Sequence, residues 1–179
     1  VIAIKDGETI TQIVKETIWG PVVATDKKGN LLAYRWVAHD IQAVNFNIVE
    51  LEQAKTVKQA FAIAAISGIP AQNLMIADEQ GNIGWTIMGP IPVKKGKFWQ
   101  MPASWGDGSR SWLGYLPSRD YPRVINPNDD RLWTANSRIV GGEMFDKIGD
   151  GGYALGARAK QIRDDLFSIK QADEQKLLS

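Results

Sequence analysis

Residues 72–88 leave the chain least freedom in how it folds. Gln72 to Asp78 has the make-up of a strand, Glu79-Gln80-Gly81-Asn82 is a tight turn, and Ile83 to Met88 is the returning strand. This is the clearest hairpin in the sequence. Just before it the hydrophobic period changes from two to three or four. Val57, Ala60, Phe61, Ala64 and Ala65 recur at helical spacing, and the stripe is read as core packing. Thr56 is placed as the N-cap, and Ser67-Gly68-Ile69-Pro70 supplies the stop.

Composition narrows the function classes. With 179 residues and 44% hydrophobic content the chain can bury a real core. A formal charge of +1 offers no electrostatic reason to expect nucleic acid or an anionic membrane as partner. The absence of cysteine rules out disulfides, thiolate chemistry and Cys-based metal sites within these residues. The longest apolar run, Ala60 to Ile66, is too short to span a bilayer.

The remaining stretches read more simply. Residues 1–37 are expected as strands: Thr9 to Val14 alternates in part, Pro21 to Thr25 is extended, and Asp26-Lys27-Lys28-Gly29-Asn30 turns the chain into a partner strand, Leu31 to Val37. His39 beside Asp40 invites a catalytic reading, but neighbouring side chains on extended backbone point to opposite faces, which leaves a surface or loop-edge role. Residues 89–130, rich in Pro, Gly and Trp, are expected as ordered loop pinned by aromatics. The tryptophans of residues 99–112 would also suit a sugar-stacking surface, so a non-catalytic carbohydrate-binding module is the rival from another class, behind the loop-packing reading. Asn126-Pro127-Asn128-Asp129-Asp130 lacks the glycine and terminal Glu of a calcium loop and is read as a turn. Gly149-Asp150-Gly151-Gly152 lacks the preceding buried strand and glycine order of a dinucleotide site. Residues 171–179 form a polar, helix-prone tail.

The chemistry concentrates in residues 133–163. A short apolar run, Leu132 to Ala135, is expected as a strand that delivers Asn136 at its end. A loop of acids and glycines follows, then a helix with Leu155, Ala159, Ile162 and Leu166 on one face. Arg158 and Arg163 flank that stripe on opposite sides, and periodicity does not choose between them. An amide at a strand end suits a fixed hydrogen-bond donor, and a guanidinium on a nearby helix could hold it. An Asn in that setting is also an ordinary turn or cap residue.

Thr134-Ala135-Asn136-Ser137-Arg138 and Gly156-Ala157-Arg158, at this spacing, resemble the penicillin acylase (penicillin amidase) family of N-terminal-nucleophile amide hydrolases. Further stretches agree in order: Gln72-Asn73-Leu74 to Asp78, Gly81-Asn82-Ile83-Gly84, Trp112-Leu113-Gly114-Tyr115-Leu116-Pro117, and Pro122-Arg123-Val124-Ile125-Asn126-Pro127. The matches run from about residue 8 to 168. The family nucleophile opens its processed β chain, whereas this sequence opens on Val1, so the whole of 1–179 is expected as one internal β-chain segment, truncated at both ends and inactive alone.

The resemblance implies an α+β fold, a partial αββα sandwich with antiparallel sheets. It implies hydrolysis of the amide bond of a small N-acyl substrate, such as a β-lactam side chain or an N-acyl homoserine lactone. It assigns Asn136 as an oxyanion donor, selects Arg158 as the arginine that steadies it, and puts Gln72 where the family faces its acyl pocket. The family's calcium position falls on Lys147, with Asp146 one residue off, so no metal or other cofactor is expected in this segment. The implied partners are the remaining β-chain and α-chain segments of the same precursor, with self-association of the isolated piece through open sheet edges. The implied location is periplasmic or extracellular.

Overall fold

The computed structural model describes residues 1–97, 99, 101–171, 173, 175 and 176. The expected helix-prone tail lies largely outside them. Two compact units divide the chain, Val1–Ile41 and Gln42–Ser179.

The first unit holds three short antiparallel strands in the order β1 (Glu16–Thr17), β2 (Gly20–Thr25), β3 (Leu31–Ala33). The turn between β2 and β3 is built by Asp26, whose carboxylate accepts from the backbone N–H groups of Lys28 and Asn30 and from the Asn30 amide. The expected hairpin is present, but its second strand stops at Ala33. Val37–His39 is a turn of 3₁₀-helix instead. Thr9 to Val14 is not a strand: Ile10 makes one isolated bridge to Ile2, and Ile13 stays 81% exposed, so its alternation has no face to bury.

The second unit is organised on α1 (Val57–Ile66) and a three-stranded antiparallel sheet in the order β4 (Gln72–Ala77), β5 (Ile83–Met88), β8 (Arg123–Ile125). Thr56 caps α1 as its sequence position requires, its hydroxyl accepting from Gln59 N–H at 3.2 Å. At the other end Asn45 stands in for missing helical partners: Nδ2 donates to Ile66 O and Oδ1 accepts from Gly68 N–H. The hairpin register runs from Gln72 opposite Met88 to Ala77 opposite Ile83. Asp78 ties its turn to the helix, accepting from Gln80 and Asn82 N–H on one oxygen and from Val57 N–H on the other. The helix packs so closely on β5 that a Cβ at Gly84 would lie 2.6 Å from both Phe61 and Val57 side-chain atoms.

The opposite side of the sheet carries the core of Trp85, Ile87, Ile91 and Tyr121, with Leu132, Ile139, Val140 and Ile148 packed on it. Its polar atoms are bonded: Trp85 Nε1 donates to Asn73 Oδ1 and Tyr121 Oη to Gly89 O; on the helix side of β5, Thr86 Oγ1 donates to Pro122 O.

Residues 89–130 differ from the expected loop in containing two strands, β6 (Pro92–Lys95) and β7 (Ser111–Tyr115), which pair antiparallel, as well as β8. Asn126 to Asp130 is the expected turn, with Asp130 N–H donating to Pro127 O. Among the described residues the helices α2 (Gly142–Ile148) and α3 (Ala157–Ser168) follow. Helices mixed with antiparallel sheets make the chain α+β, as expected. Among the described residues no helix is long and apolar enough to cross a membrane.

Candidate functional site

Asn136 lies on a stretch without secondary structure. Leu132 to Ala135 forms no strand among the described residues, because the stretch lies along a helix rather than beside another strand. Arg131 reaches the last carbonyls of α3, Nε donating to Leu166 O at 2.9 Å and Nη2 to Ile169 O at 2.6 Å. Its guanidinium also stands 5.3 Å from the Phe167 ring centre, and Trp133 meets the same ring edge-on at 6.0 Å. Five residues past Arg131 the chain meets the other end of α3, where Arg158 Nη2 donates to Asn136 Oδ1 at 2.5 Å. The segment from Arg131 to Asn136 is therefore fastened at both ends of one helix.

The polarity of the Arg158–Asn136 bond carries chemical information. Guanidinium has donors and no acceptor, so it must face the amide oxygen. The amide nitrogen, the donor end, then points away from it. The backbone of Asn136 is held as well, its carbonyl accepting from Ala154 N–H at 2.9 Å. Both residues are solvent-exposed. Arg158 occupies the first turn of α3, where the helix macrodipole disfavours a cation. Its place there is explained by the bond it makes rather than by helix stability.

The two arginines that the periodicity left equivalent are now separated. Arg163 is engaged by Asp164, which also takes Lys160, whereas Arg158 meets Asn136. Ala159, Ile162 and Leu166 are half-buried as the apolar stripe requires. Leu155 is not part of it: it precedes the helix and is 93% exposed. Gln72 stands exposed at the start of β4, and among the described residues no hydrogen bond joins it to Asn136 or Arg158.

The other candidate features have structural employment. His39 is exposed and edge-on to Trp36 and Tyr34, at 5.6 and 6.0 Å. Trp99 and Trp105 are half-buried and meet each other at right angles, 5.4 Å between ring centres, with Lys94 near Trp99. These rings pack on one another rather than lying side by side as a sugar platform. Two open grooves of about 550 and 520 Å³ lie against β4, one beside the start of α1 and one between Leu132 and Leu166. Neither is lined by Asn136 or Arg158. Among the described residues no group of three His, Asp or Glu side chains stands close enough to share a metal ion.

Sequence reasoning missed α2 and the contacts around it. Arg138 stands 5.1 Å from the ring centre of Phe145 in α2, and that ring is 6.1 Å from Tyr153. Burial, with Asp150 nearby, raises the Tyr153 hydroxyl above its ordinary range, so it stays a neutral donor, and it reaches Gly149 O at 3.3 Å. The only sequence signal was the aromatic residues on either side of the glycines.

Comparison with known proteins gives this geometry a setting. The penicillin amidase family model matches residues 1–179. Penicillin acylase 2 proenzyme of Pseudomonas sp. (strain SE83) is 29% identical over 82% of the chain and 19% of its own length. Acyl-homoserine lactone acylase QuiP of Pseudomonas aeruginosa is 29% identical over 98% of the chain and 22% of its own length. A solved structure, the thermostable penicillin G acylase from Alcaligenes faecalis, superposes with a TM-score of 0.77 at 22% identity, over 98% of this chain and 32% of that one. The last likeness bears on the fold alone, and it agrees with the α+β, antiparallel architecture expected. The chain spans about a fifth of the length of these curated relatives.

Proposed function

Since the chain belongs to the penicillin amidase family, we propose that it forms part of an amidohydrolase that cleaves the amide bond of small N-acyl substrates. The names of its relatives point to penicillins or acyl-homoserine lactones as the substrate class. Attack on an amide carbonyl builds negative charge on its oxygen, and preorganised donors around that oxygen lower the barrier. Asn136 supplies one such donor through Nδ2. Arg158 fixes its orientation and adds a positive charge, which disfavours protonation of a nearby amine serving as general base. An N-terminal Ser, Thr or Cys with its own α-amine as base would supply the attack, and none of residues 1–179 is assigned that role. The observation that carries the reading is the Arg158–Asn136 hydrogen bond, because it presents the donor end of the amide.

The surface supports a role as one part of a larger assembly. Ile13, Ile18, Ile41, Phe46 and Leu155 are each more than 80% exposed, apolar surface of the kind a partner covers. Polypeptide of the same precursor would cover that surface, and the isolated chain, left open, self-associates and hydrolyses no amide.

The test is an amidase assay on the full-length protein with phenylacetyl and fatty-acyl anilides. Turnover is expected, and Asn136→Asp should abolish it by placing a negative charge against the forming oxyanion. Arg158→Lys should lower it too, since a point charge cannot reproduce the planar fork. Undiminished turnover by Asn136→Asp would refute the assignment. Amide hydrolysis by purified isolated chain, surviving Asn136→Ala, would refute the division of labour.

A further inference from the structure

A donor at an oxyanion is only as good as its placement, and Asn136 is exposed, with no regular element of its own to hold it. Its side-chain oxygen is held by Arg158 and its backbone oxygen by Ala154 N–H. Arg158 stands on a helix, but Ala154 stands on a loop that contains Gly149, Gly151 and Gly152. Glycines give such a loop wide conformational freedom. Something must stiffen it if Ala154 is to hold Asn136 in one place.

The contacts that stiffen it converge on Phe145. The helix that carries it, α2, closes at Gly149, whose N–H donates to Phe145 O at 2.7 Å with φ at 78°. Tyr153, at the far end of the glycines, lies against the Phe145 ring and sends its hydroxyl back to Gly149 O. Asp150 adds an internal clasp by accepting from Gly152 N–H at 2.9 Å. Arg138, two residues beyond Asn136 on the same stretch of chain, places its guanidinium near the same ring at 5.1 Å. The contacts form a closed circuit: Asn136, Arg138, Phe145, Tyr153, then Ala154 back to Asn136.

We propose that Phe145 is a positioning residue for the Asn136 amide, its half-buried ring joining the Asn136 segment, through Arg138, to the loop from which Ala154 holds Asn136. The proposal rests on the reading of Asn136 as the oxyanion donor. It deepens that reading by naming the residue whose loss loosens the donor without touching substrate. A small displacement of such a group weakens a bond that matters most in the transition state, so the effect falls on kcat rather than KM.

The experiment is a double-mutant cycle on the full-length protein with an anilide substrate, together with circular dichroism to check folding. Phe145→Ala should lower kcat roughly tenfold with KM nearly unchanged, and Phe145→Tyr, which keeps the ring, should restore most of the loss. In an Asn136→Ala background Phe145→Ala should cost nothing further, because the group it positions is gone. Arg138→Met, a surface change that keeps the stem and removes the charge, should lower kcat in the same non-additive way, and it serves as the reading should Phe145→Ala fail to fold. Equal effects of Phe145→Ala with and without Asn136 would overturn the positioning role and leave the oxyanion reading standing. So would a change confined to KM. Normal kcat in Asn136→Ala would remove both.

Discussion

Two parts of the second unit are built on opposite terms. In the first, α1 and the β4–β5–β8 sheet bury Val57, Ala60, Phe61, Ala64, Trp85, Thr86 and Ile87, each under a tenth exposed. In the second, α2 and α3 bury none of their residues. The Arg131–Asn136 stretch that precedes them is held at its two ends by arginine hydrogen bonds to oxygens on or beside α3. Burial gives the sheet region its stability through apolar area removed from water. The Asn136 region has less such area and is fastened at a few polar points, as would suit the open site proposed for it. Residues that fix stability and residues proposed for chemistry are thus separable, and substitutions should show it.

The largest expected loss of stability is at Trp85. Trp85→Ala empties the centre of the core and strips Asn73 Oδ1 of its donor. A cost of about 3–5 kcal/mol is expected, read by denaturant unfolding. Next is Thr86→Val, which keeps the shape and leaves the Pro122 carbonyl unpaired in the interior, for about 1–3 kcal/mol. Thr56→Ala removes the α1 N-cap and should cost about 1 kcal/mol.

Asp78 sharpens the comparison through pH. Desolvation pushes its carboxyl up, but the N–H groups of Val57, Asn82 and Gln80 and the Asn82 amide outweigh this and hold it below its ordinary value. A lowered folded-state pKa gives stability that is present above the unfolded value and lost as pH falls through the folded one. The unfolding temperature should therefore decline on acidification below the ordinary aspartate range. Asp78→Asn should flatten that decline; an unchanged slope would contradict the assignment.

The sheet region was legible in the sequence because its signals are local. The β4–β5 hairpin announces itself through two apolar runs and Gly81, and α1 through Thr56 and a three-to-four-residue stripe. The strands β6 and β7 were not legible, since Pro92, Gly96 and Gly114 break up the pattern and fifteen residues separate Lys95 from Ser111. Helix α2 is seven residues between glycines, too short to show a period. Leu132 to Ala135 has the composition of a strand, but strandedness depends on a partner, and its neighbour is α3. The meeting of Asn136 with Arg158, 22 residues apart, follows no local rule. It was anticipated only through family resemblance, and the Arg138–Phe145 contact was not anticipated at all.

The smallest expected change in stability is at the residue with the largest expected change in rate. Asn136 is exposed, so Asn136→Ala should shift unfolding by no more than about 0.5 kcal/mol. The same substitution should lower kcat roughly 10²–10³-fold and leave KM nearly unchanged. Ser137→Ala, its buried neighbour, is the control and should remain close to wild type in rate. The direct test is kcat and thermal unfolding measured on one preparation of full-length Asn136→Ala. A lost rate with an unshifted transition is the predicted result. A shifted transition with an intact rate would make Asn136 a turn residue and contradict the account.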